Sequence, residues 1–366
     1  MNDEDNFEFL SEKRKNDPIL IERKSNKLHK IIGFLIVYFS IFLIYFPRKL
    51  NNKFYSFSVN TEVIKEDKGD ENNNLKLALC TMGKKENLYV KEFVEYYIKI
   101  GFDHLFLYDD NDPNTEKIID EVPDKLKDKV TVIDNLRSIN INNQSDAFTD
   151  CYHKNLYKYD WILMVDMDEF LFVIDDTLKH YLKNPVFDKC DFIKFHWGCT
   201  TDNGLVHYDN RTLMERFKSP FIKIRFIKTM VRGGIPDLLY WVHSPRYSPK
   251  RNVTCSNVGE VYSYTNINFE YVTPINVEKA FIIHFKFKST EEFVNKYTRG
   301  YRDWFHDFLE QALKNILNEY FEQNKITLEK INLVEKGLKK NLRSFKIDYY
   351  FTKIFYFWFD YLAYKD

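Results

Sequence analysis

The sequence predicts an α/β fold: a mostly parallel sheet sandwiched by helices, with a transmembrane helix before it and a helical extension after it. Three features of the 366 residues lead there. From Leu75 onward, short apolar runs alternate with helix-period stretches, which builds a parallel sheet with helices on both faces. Acids gather at the ends of two of those runs, and such sheets bind ligands beyond the carboxyl ends of their strands. An uncharged run, IIGFLIVYFSIFLIYF, fills residues 31–46.

Apolar residues make up 44% of the chain and aromatics 17%, enough for a large core. Lys plus Arg equals Asp plus Glu at 54 each, so there is no global positive field and nucleic acid is not an expected partner. Residues 1–30 are polar and read as a cytosolic tail. Residues 31–47 read as a signal anchor. The uncharged run spans roughly 24 Å as a helix, short for an average bilayer but suited to a thin early-secretory membrane. Arg23, Lys24, Lys27 and Lys30 precede it and Arg48, Lys49 and Lys53 follow, a bias that keeps the N-terminus in the cytosol. Residues 48–74 end in KEDKGDENNN and read as a solvated stem. The five cysteines have no CxxC spacing. In an oxidising lumen they form one or two disulfides of open pairing and leave at least one thiol.

Each element has its own signal. LKLALCTM (75–82) is a buried-type strand. ENLYVKEFVEYYIKIG (86–101) carries Leu88, Val90, Phe93, Val94, Tyr97 and Ile98 at helical spacing, with Gly101 as the stop. DHLFLYDDND (103–112) is a strand running into acids, and Asn111-Asp112-Pro113 turns the chain. A lysine-rich helix leads to the strand VTVIDN (130–135). SDAFTDCYHKNLYKY (145–159) is helical, with Ser145 placed to cap it. WILMVDMDEF (161–170) is a fourth strand. CDFIKFHWG, FIKIRFIKTMV and KAFIIHFKFK read as further strands. Residues 289–323 are helical, interrupted at Gly300 and opened by Ser289 and Glu292 in capping-box spacing. The aromatic tail 347–364 reads as a helix packed on the domain.

Asp166 and Asp168 stand two apart, so on a strand both side chains share a face. Two carboxylates that close repel, and one would be driven neutral unless a counter-charge intervenes. A hard dication, Mn²⁺ or Mg²⁺, resolves the conflict, takes oxygen ligands and leaves positions for phosphates. Asp109 and Asp110 end the second strand and could receive a ribose or a base, or simply turn the chain. Glu86 faces the same rim or merely opens the helix.

These pieces resemble the metal-dependent GT-A glycosyltransferases, specifically glycosyltransferase family 92 and the family 2-like sets. The likeness runs from Leu75 to Arg302 through CTMGKKENLYVKEFVEYYIKIGFDHLFLYDDND, NNQSDAFTDCYHKN, WILMVDMDEFLFV, FHWG with LMERF, and IIHFKFKSTEEFVNKYTRG. Its specific parts are DMDEF with the upstream Gln144 and Cys151, and the HFxxKSxEEFxxKxxRG run. Phe285 stands where the family usually has Tyr. The resemblance implies a GT-A-like catalytic domain over residues 75–300, with residues 301–366 as the helical extension. It implies a UDP-linked donor such as UDP-galactose, a glycan acceptor and inversion at the anomeric carbon. It also implies Mn²⁺ held by Asp166 and Asp168, with Glu169 adjoining and His284 completing the metal shell. Asp109 and Glu86 would lie by the uridine, and Lys288 would pair with a phosphate; Lys228 and His243 are similarly placed. Read alone, His284 is equally a satisfied core residue and Lys288 a solvated one.

Inversion needs a base on the acceptor side, for which Asp202 and Glu215 are the candidates. A turn role competes for Asp202, and an ion pair with Arg216 or another cation competes for Glu215. The expected cell biology is a single-pass type II membrane protein of the Golgi or endoplasmic reticulum. Two rivals remain: a membrane-anchored glycan-binding protein without catalysis, and a nucleotidyltransferase. The second lacks a glycine-rich phosphate loop, for which Gly83-Lys84-Lys85 is a poor substitute.

Overall fold

The computed structural model describes residues 56–61, 64–66, 75–218, 220–246, 252–263, 270–298 and 306–341. The expected cytosolic tail, the anchor over 31–47 and the aromatic tail lie outside the described residues, as does most of the stem. Among the described residues no helix is long and apolar enough to cross a membrane.

Eight strands make the main path of one sheet: β1 (Leu77–Gly83), β2 (His104–Asp109), β3 (Val130–Ile133), β4 (Trp161–Met164), β5 (Glu169–Val173), β6 (Phe192–Cys199), β7 (Phe221–Arg232) and β8 (Ala280–His284). Their order is β3-β2-β1-β4-β7-β6-β8-β5. The β1/β2, β2/β3, β1/β4 and β6/β8 ladders are parallel, and only β7 and β5 run against the rest. Gly83, Asp109, Met164, Cys199 and His284 therefore end their strands at one rim.

The period of two in β1 decides which helix covers which face. Leu77 and Leu79 join Leu163 against Val90, Phe93, Val94 and Tyr97 of helix α1 (Asn87–Lys99). Ala78 and Cys80 point the other way, onto Ala147, Phe148, Cys151 and Tyr152 of α2 (Gln144–Asn155). The expected sandwich is present. Leu88, expected on the buried face of α1, is 65% exposed. Gly101 stops α1 with φ at 111°, a conformation only glycine adopts without strain. A disulfide joins Cys80 to Cys151 and so ties β1 to α2; a second joins Cys190 to Cys255, and Cys199 is a buried thiol.

Three local expectations are corrected. The lysine-rich segment after β2 forms two 3₁₀ turns, Ile118–Glu121 and Asp124–Lys129, split by Pro123. Helix α2 starts one residue earlier than expected, because Asn143 rather than Ser145 caps it by accepting from the Asp146 amide at 2.8 Å. WILMVDMDEF is not one strand: β4 stops at Met164 and β5 starts at Glu169, with the two aspartates in the turn between them. The Glu169 carboxylate receives the Asp166 amide at 2.8 Å and the Glu169 amide donates to the Asp166 carbonyl at 3.0 Å, so the turn closes on itself.

Short helices α3 (Leu178–Leu182) and α4 (Leu213–Arg216) edge the sheet. Beyond β8 come α5 (Thr290–Thr298), α6 (His306–Gln323) and α7 (Leu328–Asn341), with a separate apolar cluster that includes Phe287, Phe293, Tyr320 and Val334. The α5 start carries the expected capping box: the Glu292 carboxylate takes the Ser289 amide at 3.0 Å, and the Glu292 amide returns to the Ser289 hydroxyl at 3.3 Å.

Candidate active site

The turn at 166–168 sits at the rim where the parallel strands end, and chemistry converges on it. Asp166 Oδ1 receives the Lys228 ammonium from β7 at 2.9 Å and the Gln144 amide from α2. Asp168 Oδ2 receives Lys288 at 3.3 Å and Lys296 of α5 at 2.5 Å. Lys228 also stands 3.2 Å from Glu169. The two aspartates share the turn and lean to different partners, Asp166 towards α2 and β7 and Asp168 towards α5. Asp168 is 1% exposed, whereas Asp166 keeps part of its side chain in solvent.

These lysines set the charge states. Burial works to raise the Asp166 carboxyl, but Lys228 outweighs it and holds the group below its ordinary value. Burial acts the same way on Asp168, and Lys296 followed by Lys288 drives it well below. Glu169 goes the other way: burial first and the Asp166 charge next push it up to about 8. Burial would lower the Lys228 ammonium, yet Asp166 and Glu169 keep it above its ordinary value.

His284 ends β8 with Nε2 3.7 Å from Asp168 Oδ1 and Nδ1 3.9 Å from Glu169 Oε1. Burial pushes its pKa well below the ordinary value, so the imidazole is neutral. Its ring lies 4.3 Å from that of Trp197. Among the described residues, His284 Nδ1 and Glu169 Oε1 are buried polar atoms with no hydrogen-bond partner. Carboxylate oxygens and a neutral imidazole are suitable donors for Mn²⁺ or Mg²⁺. Among the described residues, though, no three acidic, His or Cys side chains are gathered closely enough to hold an ion as they stand. Ammonium groups already face both aspartates.

The remaining sequence candidates have other work. Both oxygens of Asp109 are taken by backbone, from Asn111 at 2.9 Å and Ile118 at 2.9 Å, so it pins the loop after β2. Glu86 is buried ahead of α1, and its carbonyl receives the Tyr89 amide at 2.9 Å. The Tyr89 ring in turn lies 4.1 Å from the Lys288 ammonium. Asp202 is buried and receives the Tyr320 hydroxyl at 2.7 Å, the Lys330 ammonium and the Gly204 amide at 2.9 Å. Glu215 is exposed on α4 and closes a capping box with Thr212, 2.9 Å from its amide. Both oxygens of Asp202 are engaged in structure, and Glu215 uses Oε2 in its cap. His243, pushed down to about 3 by burial, is neutral and anchored to the Ile227 carbonyl at 3.2 Å. Cys151 is spent in its disulfide.

Sequence reasoning passes over Lys296 and assigns Lys228 no partner. The partners lie 128 and 62 residues away, and local pattern carries no trace of them. The local signal for Lys296 is the HFxxKSxEEFxxKxxRG run, of which it is the second motif lysine.

The chain is 24% identical over 228 residues to a glycosyltransferase family 92 protein of Ricinus communis, which covers 61% of this chain and 37% of that protein. It is 26% identical over 109 residues to a family 92 protein of Oryza sativa subsp. japonica, covering 30% of this chain and 18% of the relative. The chain thus spans well under half the length of these relatives. The model of glycosyltransferase family 92 matches residues 74–317, about two thirds of the sequence and the whole sheet described above. The chain belongs to glycosyltransferase family 92.

Proposed function

We propose that this protein is a metal-dependent glycosyltransferase. It moves a hexose, galactose being the first candidate, from a UDP-linked donor to a glycan acceptor with inversion. The observation that carries the reading is the acid turn at the strand-end rim, faced by three lysines and a neutral histidine. Family membership supports it.

In this reading Asp166 and Asp168, with His284, would hold Mn²⁺ or Mg²⁺, which supplies positive charge to the donor diphosphate as it departs. Lys228, Lys288 and Lys296 do the same work from the protein side: each presents an ammonium to the rim, where charge develops on the leaving group. Holding the donor there leaves the far face of the anomeric carbon open to an acceptor hydroxyl. That oxygen forms the new bond, the bond to the diphosphate breaks, and the hydroxyl proton passes to a base. With Asp202 and Glu215 both engaged in structure, the base is left unassigned. The proposed setting is a type II membrane protein of the Golgi or endoplasmic reticulum.

A second reading comes from the lysines themselves. Because ammonium groups already answer the acid charges, the same rim could bind a diphosphate without a dication. The test is incubation of the full-length chain with radiolabelled UDP-sugars, with and without Mn²⁺. Transfer or donor hydrolysis only with Mn²⁺ supports the first reading, and equal turnover in chelator supports the second. Folded protein with no turnover of any donor in either condition rejects both.

A further inference from the structure

We propose that Asp202, Tyr320 and Lys330 form a positioning latch that sets Lys288 and Lys296 over Asp168, and so governs how tightly the rim holds a nucleoside diphosphate. The diphosphate part rests on the function proposed above; the latch itself does not.

The geometry forms one continuous chain of contacts. Asp202 lies in the loop after β6, and its amide donates to Asn324 Oδ1 at 2.6 Å. Its Oδ2 receives both Tyr320 and Lys330. The Tyr320 hydroxyl is shared with Thr290 Oγ1 at 2.7 Å, and Thr290 is the first residue of α5. The Thr290 amide reaches back to the Leu205 carbonyl of the same loop at 3.1 Å. Lys286 is fixed to Glu319 of α6 at 2.6 Å. Lys288 itself takes φ at 57°, which a lysine adopts only where its surroundings hold it.

Packing reinforces the hydrogen bonds. The Tyr320 ring stacks on Phe293 of α5 at 4.2 Å. A Cβ built on Gly337 of α7 would meet Val294 Cγ1 at 2.1 Å, so α7 lies flush against α5. Glu292 separately ties α5 to Arg216 of α4 and to Tyr89 of α1. The Asp202 loop and the C-terminal helices brace the start of α5, and with it the ammonium groups on Asp168. Tyr320, Asn324 and Lys330 fall just past residue 317, where the family match ends.

A latch acting through lysines makes a prediction that simple stabilisation does not. Tyr320→Phe keeps the ring on Phe293 and removes the hydroxyl that bridges Asp202 to Thr290. Thr290→Val breaks the same bridge from the other side, should the first variant fold poorly. Two readouts on the full-length chain decide the matter: amide exchange across 286–298, and UDP affinity in Mn²⁺ by calorimetry, in the wild-type and Lys296→Met backgrounds. Exchange in α5 is expected to rise about tenfold, with β1 and β4 unchanged. UDP affinity is expected to fall about fivefold in the wild-type background and by less than about twofold beside Lys296→Met. Equal losses in both backgrounds, or unaltered α5 exchange, overturn the latch. If the wild type binds no UDP, the donor reading fails and the exchange measurement alone judges the latch.

Discussion

Replacing Lys194 with Met should make the protein more stable at neutral pH and not at alkaline pH. Lys194 points inward from β6, fully buried, and donates to Thr229 Oγ1 at 3.0 Å and to the Ser244 hydroxyl. Burial pushes its pKa down to about 7. In the unfolded chain it returns to about 10.4. As pH falls below that value the unfolded state takes up a proton that the folded state refuses, so stability drops by about 1.4 kcal/mol per unit. The loss ends near pH 7, where the folded group protonates as well. About three units give roughly 4 kcal/mol at neutral pH. Met removes that penalty and keeps the apolar stem, but strips a donor from two hydroxyls, at about 1 kcal/mol each. The net expectation is a gain of about 2 kcal/mol at pH 7, turning into a loss of similar size at pH 10. Urea denaturation of both proteins between pH 6.5 and pH 10 measures it. A constant difference across that range would refute the assignment of a buried, titrating lysine.

Three further perturbations test other parts of the molecule. Arg216 is almost wholly buried and grips Glu292 through two bonds of 2.6 and 2.9 Å, so Arg216→Met, which takes the counter-charge from that buried carboxylate, should lower unfolding free energy by about 3 kcal/mol in urea titrations. The Cys190–Cys255 disulfide closes a separation of 65 residues; the Cys190→Ala/Cys255→Ala variant should lose about 4 kcal/mol, and added thiol should no longer shift its melting temperature as far as that of the wild type. Asp168→Asn removes the negative charge that two ammonium groups face and weakens one proposed metal ligand, so calorimetry should find UDP binding in Mn²⁺ weakened by about tenfold or more.

Periodicity carries the backbone of this fold, and distance hides its charges. The alternation in LALC settles which side chains of β1 meet α1 and which meet α2, since a strand's side chains must alternate. The acid turn is another matter. Two acids at i and i+2 look identical in sequence whether they share a strand face or sit in a turn between strands. What separates the cases is the Glu169 carboxylate folding back three residues onto the Asp166 amide, a local choice that the apolar flanks of the run conceal. Glu215 is the reverse case, because Thr212-x-x-Glu215 is capping-box spacing and the structural role was legible beside the catalytic one. For Asp202 the turn was legible, through the Gly204 amide two residues on, but its partners Tyr320 and Lys330 are 118 and 128 residues away and left no local trace.

Charge arithmetic at the rim explains why the lysines matter to either reading of the chemistry. At neutral pH Asp166 and Asp168 are ionised, Glu169 largely holds its proton, and Lys228, Lys288 and Lys296 face them. Two negative charges against three positive ones leave the rim slightly cationic before any ligand arrives. A donor diphosphate brings about two more negative charges into a part-buried site, which must be matched to avoid a desolvation cost of several kcal/mol. One surplus ammonium does not match them. Either a dication enters with the diphosphate, or lysines turn from the acids to the phosphates and leave carboxylates exposed to one another. The second course brings back the repulsion between neighbouring acids that the lysines now suppress. A dication avoids it: the net charge moves from one negative to one positive, so it is the spared acid–acid repulsion, not closer neutrality, that speaks for the metal-dependent reading.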